Sequence, residues 1–96
     1  MQDALEHYAT LKKELLELRP LFAKNGEQGD ALWYFDETLE ANEFEIALHA
    51  LCNYLQSVPI LRIGDAELDR IDLVHQKMDL EDECVATLRQ RQSKSR

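Results

Sequence analysis

Glycine and proline are scarce in this 96-residue chain, with three of the first and two of the second. Alternating apolar and polar runs are also missing. Without turn residues at short intervals, a β-sandwich or barrel is excluded. Cysteine is limited to Cys52 and Cys84. Two cysteines with no CxxC or Cys/His cluster make neither a disulfide framework nor a zinc site. Both are expected as buried free thiols in a reducing cytoplasm. No apolar run approaches the roughly 18 residues of a membrane span. The opening "MQDALEHYATLKKELLELRP" has no apolar core of the export-signal type, so a cytoplasmic location is expected. Lysine and arginine are absent from residues 25–61.

What remains is 45% hydrophobic and 31% charged, the composition of a folded domain. The length allows one such domain and not two. Eleven bases against 19 acids give a net charge of −8. That charge disfavours nucleic-acid backbones and anionic membranes, which both need excess Lys and Arg. It suits solubility and the attraction of basic partners.

The apolar positions follow a helical period. Ala4, Tyr8, Leu11, Leu15, Leu18 and Phe22 step by three and four, and Leu5 and Leu16 widen that stripe. Pro20 disfavours helical geometry at Arg19, so a stop or kink is expected there. Asn25-Gly26 offers a helix end. Asp30 is expected to cap a second helix, with Leu32, Phe35 and Leu39 inward. Trp33 lies roughly 100° off that face, beside Glu37 and Glu40. Asn42 and Glu45 have the spacing of a capping box that opens a third helix. Its core stripe is Phe44, Ala47, Leu48, Leu51 and Leu55, and Pro59 ends it near Ser57. "VPILRIG" reads as an extended link. Asp65 then caps a fourth helix carrying Leu68, Ile71, Val74 and Met78. A fifth begins at Asp79 or Glu81, with Leu80, Cys84 and Leu88 inward. The expectation is an all-α, compact single-domain bundle of four to five short helices over residues 1–90. Residues 91–96 read as a basic, disordered tail with no apolar anchor.

The base-free stretch holds seven acids: Glu27, Asp30, Asp36, Glu37, Glu40, Glu43 and Glu45. Asp30, Glu43 and Glu45 sit near helix starts, where the helix dipole favours negative charge. Asp36, Glu37 and Glu40 sit in mid-helix or near its end, and as neighbours at i,i+3 and i,i+4 they repel. Such a run is either a solvated face or a surface that meets a basic partner. Trp33 and Tyr34 beside it fit either the core boundary or interface anchors.

Chemistry-bearing motifs are few. His7, His49 and His75 lack metal-pair spacing, and no HExxH occurs. His49 stands four residues after Glu45, within reach of a surface ion pair. "DAELDRIDLVHQ" lacks the glycine of an EF-hand loop. There is no phosphate-binding Gly-rich loop and no nucleophile setting. No catalytic residue, cofactor or metal is expected, and the chain does not read as an enzyme.

"FEIALHALCNYLQSVPI" resembles the core segment of small bacterial immunity proteins of the MafI type, which are related to those of contact-dependent growth inhibition systems. Glu43, Phe44, Ala47, Leu48, Leu51, Cys52 and Leu55 carry the first part of that pattern. Ile71, Met78, Leu80 and Leu88 carry the second, and "LLELRPLF" suits its opening helix. The resemblance implies a cytoplasmic protein that binds the C-terminal domain of a cognate toxin, often a nuclease and particularly a ribonuclease; the sequence leaves its oligomeric state open, with a monomer expected. An acidic inhibitor suits a basic nuclease cleft, because carboxylates stand where phosphates would lie. The expected contact residues are Trp33, Tyr34, Asp36, Glu37, Glu40, Glu43, Glu45 and His49. The alternative is a small acidic helical adaptor or regulator of a host protein, using the same surface.

Overall fold

A computed structural model describes residues 4–26 and 29–94 of the chain. Its helices are α1 (Ala4–Leu18), α2 (Pro20–Lys24), α3 (Asp30–Glu40), α4 (Phe44–Ser57), α5 (Asp65–Lys77) and α6 (Cys84–Lys94). Arg19 alone divides α1 from α2. It keeps right-handed helical dihedrals, φ −53° and ψ −39°, despite the proline that follows. The Phe22 amide reaches back to the Arg19 carbonyl at 3.1 Å. Pro20 therefore produces a kink in one arm, and the fold is a small all-α bundle of five arms.

α4 lies at the centre, packed against α1, α2, α3 and α6. That position explains its apolar richness. Phe44, Ala47, Leu48, Leu51, Cys52 and Leu55 are all buried on it. α3 folds back on α4 as a helical hairpin, with Phe35 and Leu39 buried between them. The Phe22 ring lies 5.1 Å from Phe35 and 5.5 Å from Tyr54, tying α2 to the hairpin. α5 covers α1 and α6 with Leu68, Ile71 and Val74. On α1 the stripe is narrower than the sequence suggests. Leu11, Leu15 and Leu18 are buried, whereas Leu16 and Tyr8 are half-exposed. Tyr8 still meets the Phe44 ring edge-on at 5.6 Å. The link after α4 is extended as expected, and no strand occurs among the described residues.

The helix ends differ most from expectation. Asn42 does not cap α4. It adopts a left-handed φ of 61° and closes α3 instead. The Asn42 amide donates to the Leu39 carbonyl at 3.1 Å, and the Glu43 amide to the Thr38 carbonyl at 2.8 Å. This is a Schellman closure, and it takes the residue that a capping box would have used. Asp79 repeats it after α5, with φ 54°. Its amide donates to Gln76 and the Leu80 amide to His75, so Asp79 ends α5 and cannot start the next helix. α6 begins only at Cys84. Gly29 and Gly64, each one residue earlier than the aspartates expected there, take the N-cap positions of α3 and α5. Glu67 compensates at α5 by accepting from the Gly64 amide at 2.7 Å.

A left-handed aspartate is costly where a glycine is not, by roughly 1–2 kcal/mol. Asp79→Gly is expected to raise unfolding free energy in urea by about 1 kcal/mol. Asn42→Gly should gain less, because asparagine tolerates this conformation better.

Two further expectations are overturned. Cys52 and Cys84 are buried, but they are not free thiols: they form a disulfide between α4 and α6. Their Cα atoms lie 6.0 Å apart although 32 residues separate them in sequence, a proximity only the packing of α6 on α4 creates. The basic end of the chain is likewise no loose tail up to Lys94. It forms the last turns of α6. The Arg91 guanidinium donates to the carbonyls of Leu55 at 2.6 Å and Val58 at 2.5 Å, and Gln92 reaches the Ile63 carbonyl at 3.2 Å. Polar groups anchor this segment in place of the apolar ones that were lacking. Residues 95–96 lie outside the described residues.

Candidate functional site

The acids of the base-free stretch divide into two sets once the helices pack. α1 supplies the missing bases. The Arg19 fork grips both Asp36 oxygens at 2.8 Å, and Lys12 stands 3.5 Å from Glu40. The Arg19 hydrogen bond holds the Asp36 carboxyl below its ordinary range, against the opposing effect of partial burial. Asp36 and Glu40 are thus accounted for by the fold, which the sequence alone did not show. Elsewhere Glu14 meets Lys77 at 2.5 Å, Glu17 pairs with Arg70, Glu67 with Lys24, and Asp69 and Asp72 with Arg89. Apart from Glu14, whose side chain is mostly buried, these are exposed pairs that contribute only about 0–1 kcal/mol each, but together they consume most of the cations.

Among the described residues, Asp30, Glu37, Glu43 and Glu45 have no ion-pair partner, and Glu27 lies outside them. Asp30, Glu43 and Glu45 stand at helix starts, as expected. Glu37 is the mid-helix acid whose charge nothing in the fold neutralises.

Glu37 lies one turn along α3 from both Trp33 and Tyr34. Trp33 is 63% exposed and Tyr34 48%. Neither is buried in the core. Tyr34 and Ala31 of α3 face Ile46, Ala50, Asn53 and Tyr54 of α4 across a surface groove of about 530 Å³. Its floor is apolar because both helices present small residues there, Ala31 and Ala50. At the hairpin turn Ile46 also walls a second cleft of about 500 Å³, shared with Tyr8, Glu43, Glu45, Met78, Asp79 and Lys77, the last paired with Glu14. The two hollows share Ile46 as a common wall, and the one at the turn carries the acids Glu43, Glu45 and Asp79.

His49 occupies the other edge of the groove, and its partner is not Glu45. Its Nε2 lies 2.7 Å from Asp82 Oδ2, while His75 Nε2 lies 2.9 Å from Oδ1. Oδ1 also accepts the Cys84 amide at 2.9 Å. Burial pushes the Asp82 carboxyl up, but the Cys84 amide, His75 and His49 together pull it down to about 2. A carboxylate only accepts, so both imidazoles donate from Nε2. Asp82 thereby ties α4, α5 and the start of α6 together.

A carboxyl depressed from 3.8 to about 2 contributes stability that is fully present above pH 4. That contribution disappears as pH falls through about 2. Asp82→Asn should therefore flatten the acid limb of a urea-stability profile between pH 5 and pH 2. The expected reduction is on the order of 1 kcal/mol, since this carboxylate is 36% exposed and screened by solvent.

Sequence reasoning assigned Trp33, Tyr34 and Glu37 to one helix and Glu43, Glu45 and His49 to the start and wet side of the next; the fold packs those two helices together as a hairpin. That reasoning missed Ile46, which falls outside the core stripe of α4 and is 39% exposed. It also missed Asp82, whose role depends on two histidines from other helices. An apolar residue outside the stripe of an otherwise well-patterned helix was the available signal for Ile46. No group of three His, Cys, Asp or Glu among the described residues is arranged to hold a metal ion, and none of their helices is long and apolar enough to cross a membrane. Compared with protein-family models, with curated proteins and with solved structures, the chain matches none.

Proposed function

We propose that this protein is an immunity-type inhibitor that binds and neutralises the toxic domain of a cognate bacterial toxin, a basic nuclease of the ribonuclease kind, in the cytoplasm. The observation that carries this reading is the set of unpaired acids beside exposed aromatics on the α3–α4 hairpin. Most other charges on the described surface already have partners within the chain. Glu37, Glu43 and Glu45 do not: Glu37 lies one helical turn from the exposed Trp33 and Tyr34, and Glu43 and Glu45 line the cleft that shares Ile46 with the Tyr34 groove. Such a surface steers a cationic partner in and offers desolvated anchors to hold it.

Co-expression with the toxin domain encoded beside this gene tests the reading. Restored growth and co-purification are expected, and failure of both overturns it. Capture of a host protein with no toxin protection would move the assignment to an adaptor. The triple variant Glu37→Lys, Glu43→Lys, Glu45→Lys should slow association at least tenfold at low salt, with the gap closing in high salt. Asp36 and Glu40 are unsuitable for this test because changing them breaks contacts to Arg19 and Lys12.

A further inference from the structure

The groove between α3 and α4 has a shape as well as a charge. From Ile46 to Ser57 its α4 wall spans twelve residues, or roughly 16 Å at the rise of an α-helix. Its α3 wall is Ala31 and Tyr34, three residues apart and on one face. Small side chains at Ala31 and Ala50 leave the valley between two antiparallel helices open to a third. Tyr34 and Ile46 stand exposed at the valley's middle and turn end respectively, where a monomeric fold gains nothing from exposing them. Charge adds a direction. Glu43, Glu45 and Asp79 line the cleft at the hairpin turn against a single base, Lys77, which is paired with Glu14, while Asn53 and Ser57 at the far end of the groove are neutral.

From this we infer that the α3–α4 groove is the seat for one amphipathic, cationic helix of the partner. Its apolar stripe lies along Tyr34, Ile46 and Ala50, and its Lys and Arg residues gather at the end over the hairpin turn. About three turns of partner helix fill the groove and complete a three-helix layer with α3 and α4. An extended basic strand would satisfy the acids but would leave the i,i+4 pair of Ile46 and Ala50 without matching apolar positions. The inference rests on the partner-binding reading and adds which element of the partner is read.

Two synthetic 18-residue helical peptides test it. One carries leucine on one face and lysine on the other, with the lysines concentrated towards one end. The other has the same composition, with leucine and lysine scrambled around the helix. The full-length protein is titrated with each and followed by amide NMR. The patterned peptide should shift Ala31, Tyr34, Ile46, Ala50 and Asn53, and should bind at least tenfold tighter than the scrambled one. Ile46→Gln should remove that preference without changing the melting temperature. Equal binding of the two peptides, no binding at low salt, or shifts centred elsewhere would each overturn the inference. Co-expression then separates it from the broader reading. An Ile46→Gln variant that protects and co-purifies as well as the parent rejects the groove and leaves the inhibitor role standing. Loss of toxin protection by the parent protein, with the groove still binding patterned peptide, rejects the inhibitor role and leaves the groove.

Discussion

Reduction of the Cys52–Cys84 disulfide is expected to lower the stability of the folded chain by about 3–4 kcal/mol. The bridge closes a loop across a sequence separation of 32 residues. Opening it restores chain entropy to the unfolded state, and a loop of this size falls in the middle of the chain-entropy estimate. For a domain of about 100 residues such a loss corresponds to roughly 12–30 °C in melting temperature. Thermal melts with and without a phosphine reductant, and of the Cys52→Ala, Cys84→Ala double variant, measure it. A shift of only a few degrees in both would show that the bridge adds little to what packing already secures. The consequence reaches function. Cytosolic chains of ordinary organisms keep their thiols reduced. An inhibitor working there must stay folded without the bridge, so the reduced protein should still show a cooperative transition above growth temperature. A reduced chain that is unfolded at that temperature is incompatible with a cytoplasmic role.

Loss of Arg91 should be the second large effect. Helix α4 ends at Ser57 with no basic residue in its last turn; the Ser57 hydroxyl serves the Tyr54 carbonyl, but the last turn has no complementary charge of its own. Arg91 brings that charge from α6 and donates to the carbonyls of Leu55, Val58 and, at 3.4 Å, Pro59. Hydrogen bonds from a charged group contribute roughly 1.5–3 kcal/mol, and Arg91→Ala is expected to cost about 2 kcal/mol. Arg91→Lys keeps the charge but not the planar fork, and should recover only part of the loss. Truncation after Gln90 should cost at least as much as Arg91→Ala. Urea denaturation of the three variants decides. Changes within half a kcal/mol would mean that the end of α6 does not support α4.

The class of fold was legible in the spacing of apolar residues. Leu48, Leu51, Leu55, Leu68, Ile71 and Val74 fell inward where a period of 3.6 puts them, because a helix can hide only one stripe. Helix ends were less legible. Asn42 serves a cap or a left-handed closure equally well by sequence, and the choice depends on how α3 terminates against α4. Charge was legible only as a sum along the chain. Counted that way, residues 25–61 held acids without bases. In space, Arg19 and Lys12 come across from α1 and pair with Asp36 and Glu40.

Glu37 thus keeps the meaning the whole stretch first suggested, and Asp36 and Glu40 lose it. By itself, the sequence determined that the chain is helical, which faces turn inward, and that an acidic excess lies along residues 25–61. Those features depend on neighbours three or four positions away along one helix. Tertiary structure alone decided which acids remain unpaired, that Cys52 meets Cys84, that Asp82 joins two histidines, and that Arg91 closes α4. Each of these is a contact across different helices, at sequence separations from 7 to 36 residues. Helical periodicity carries no information about which side chains meet at such separations.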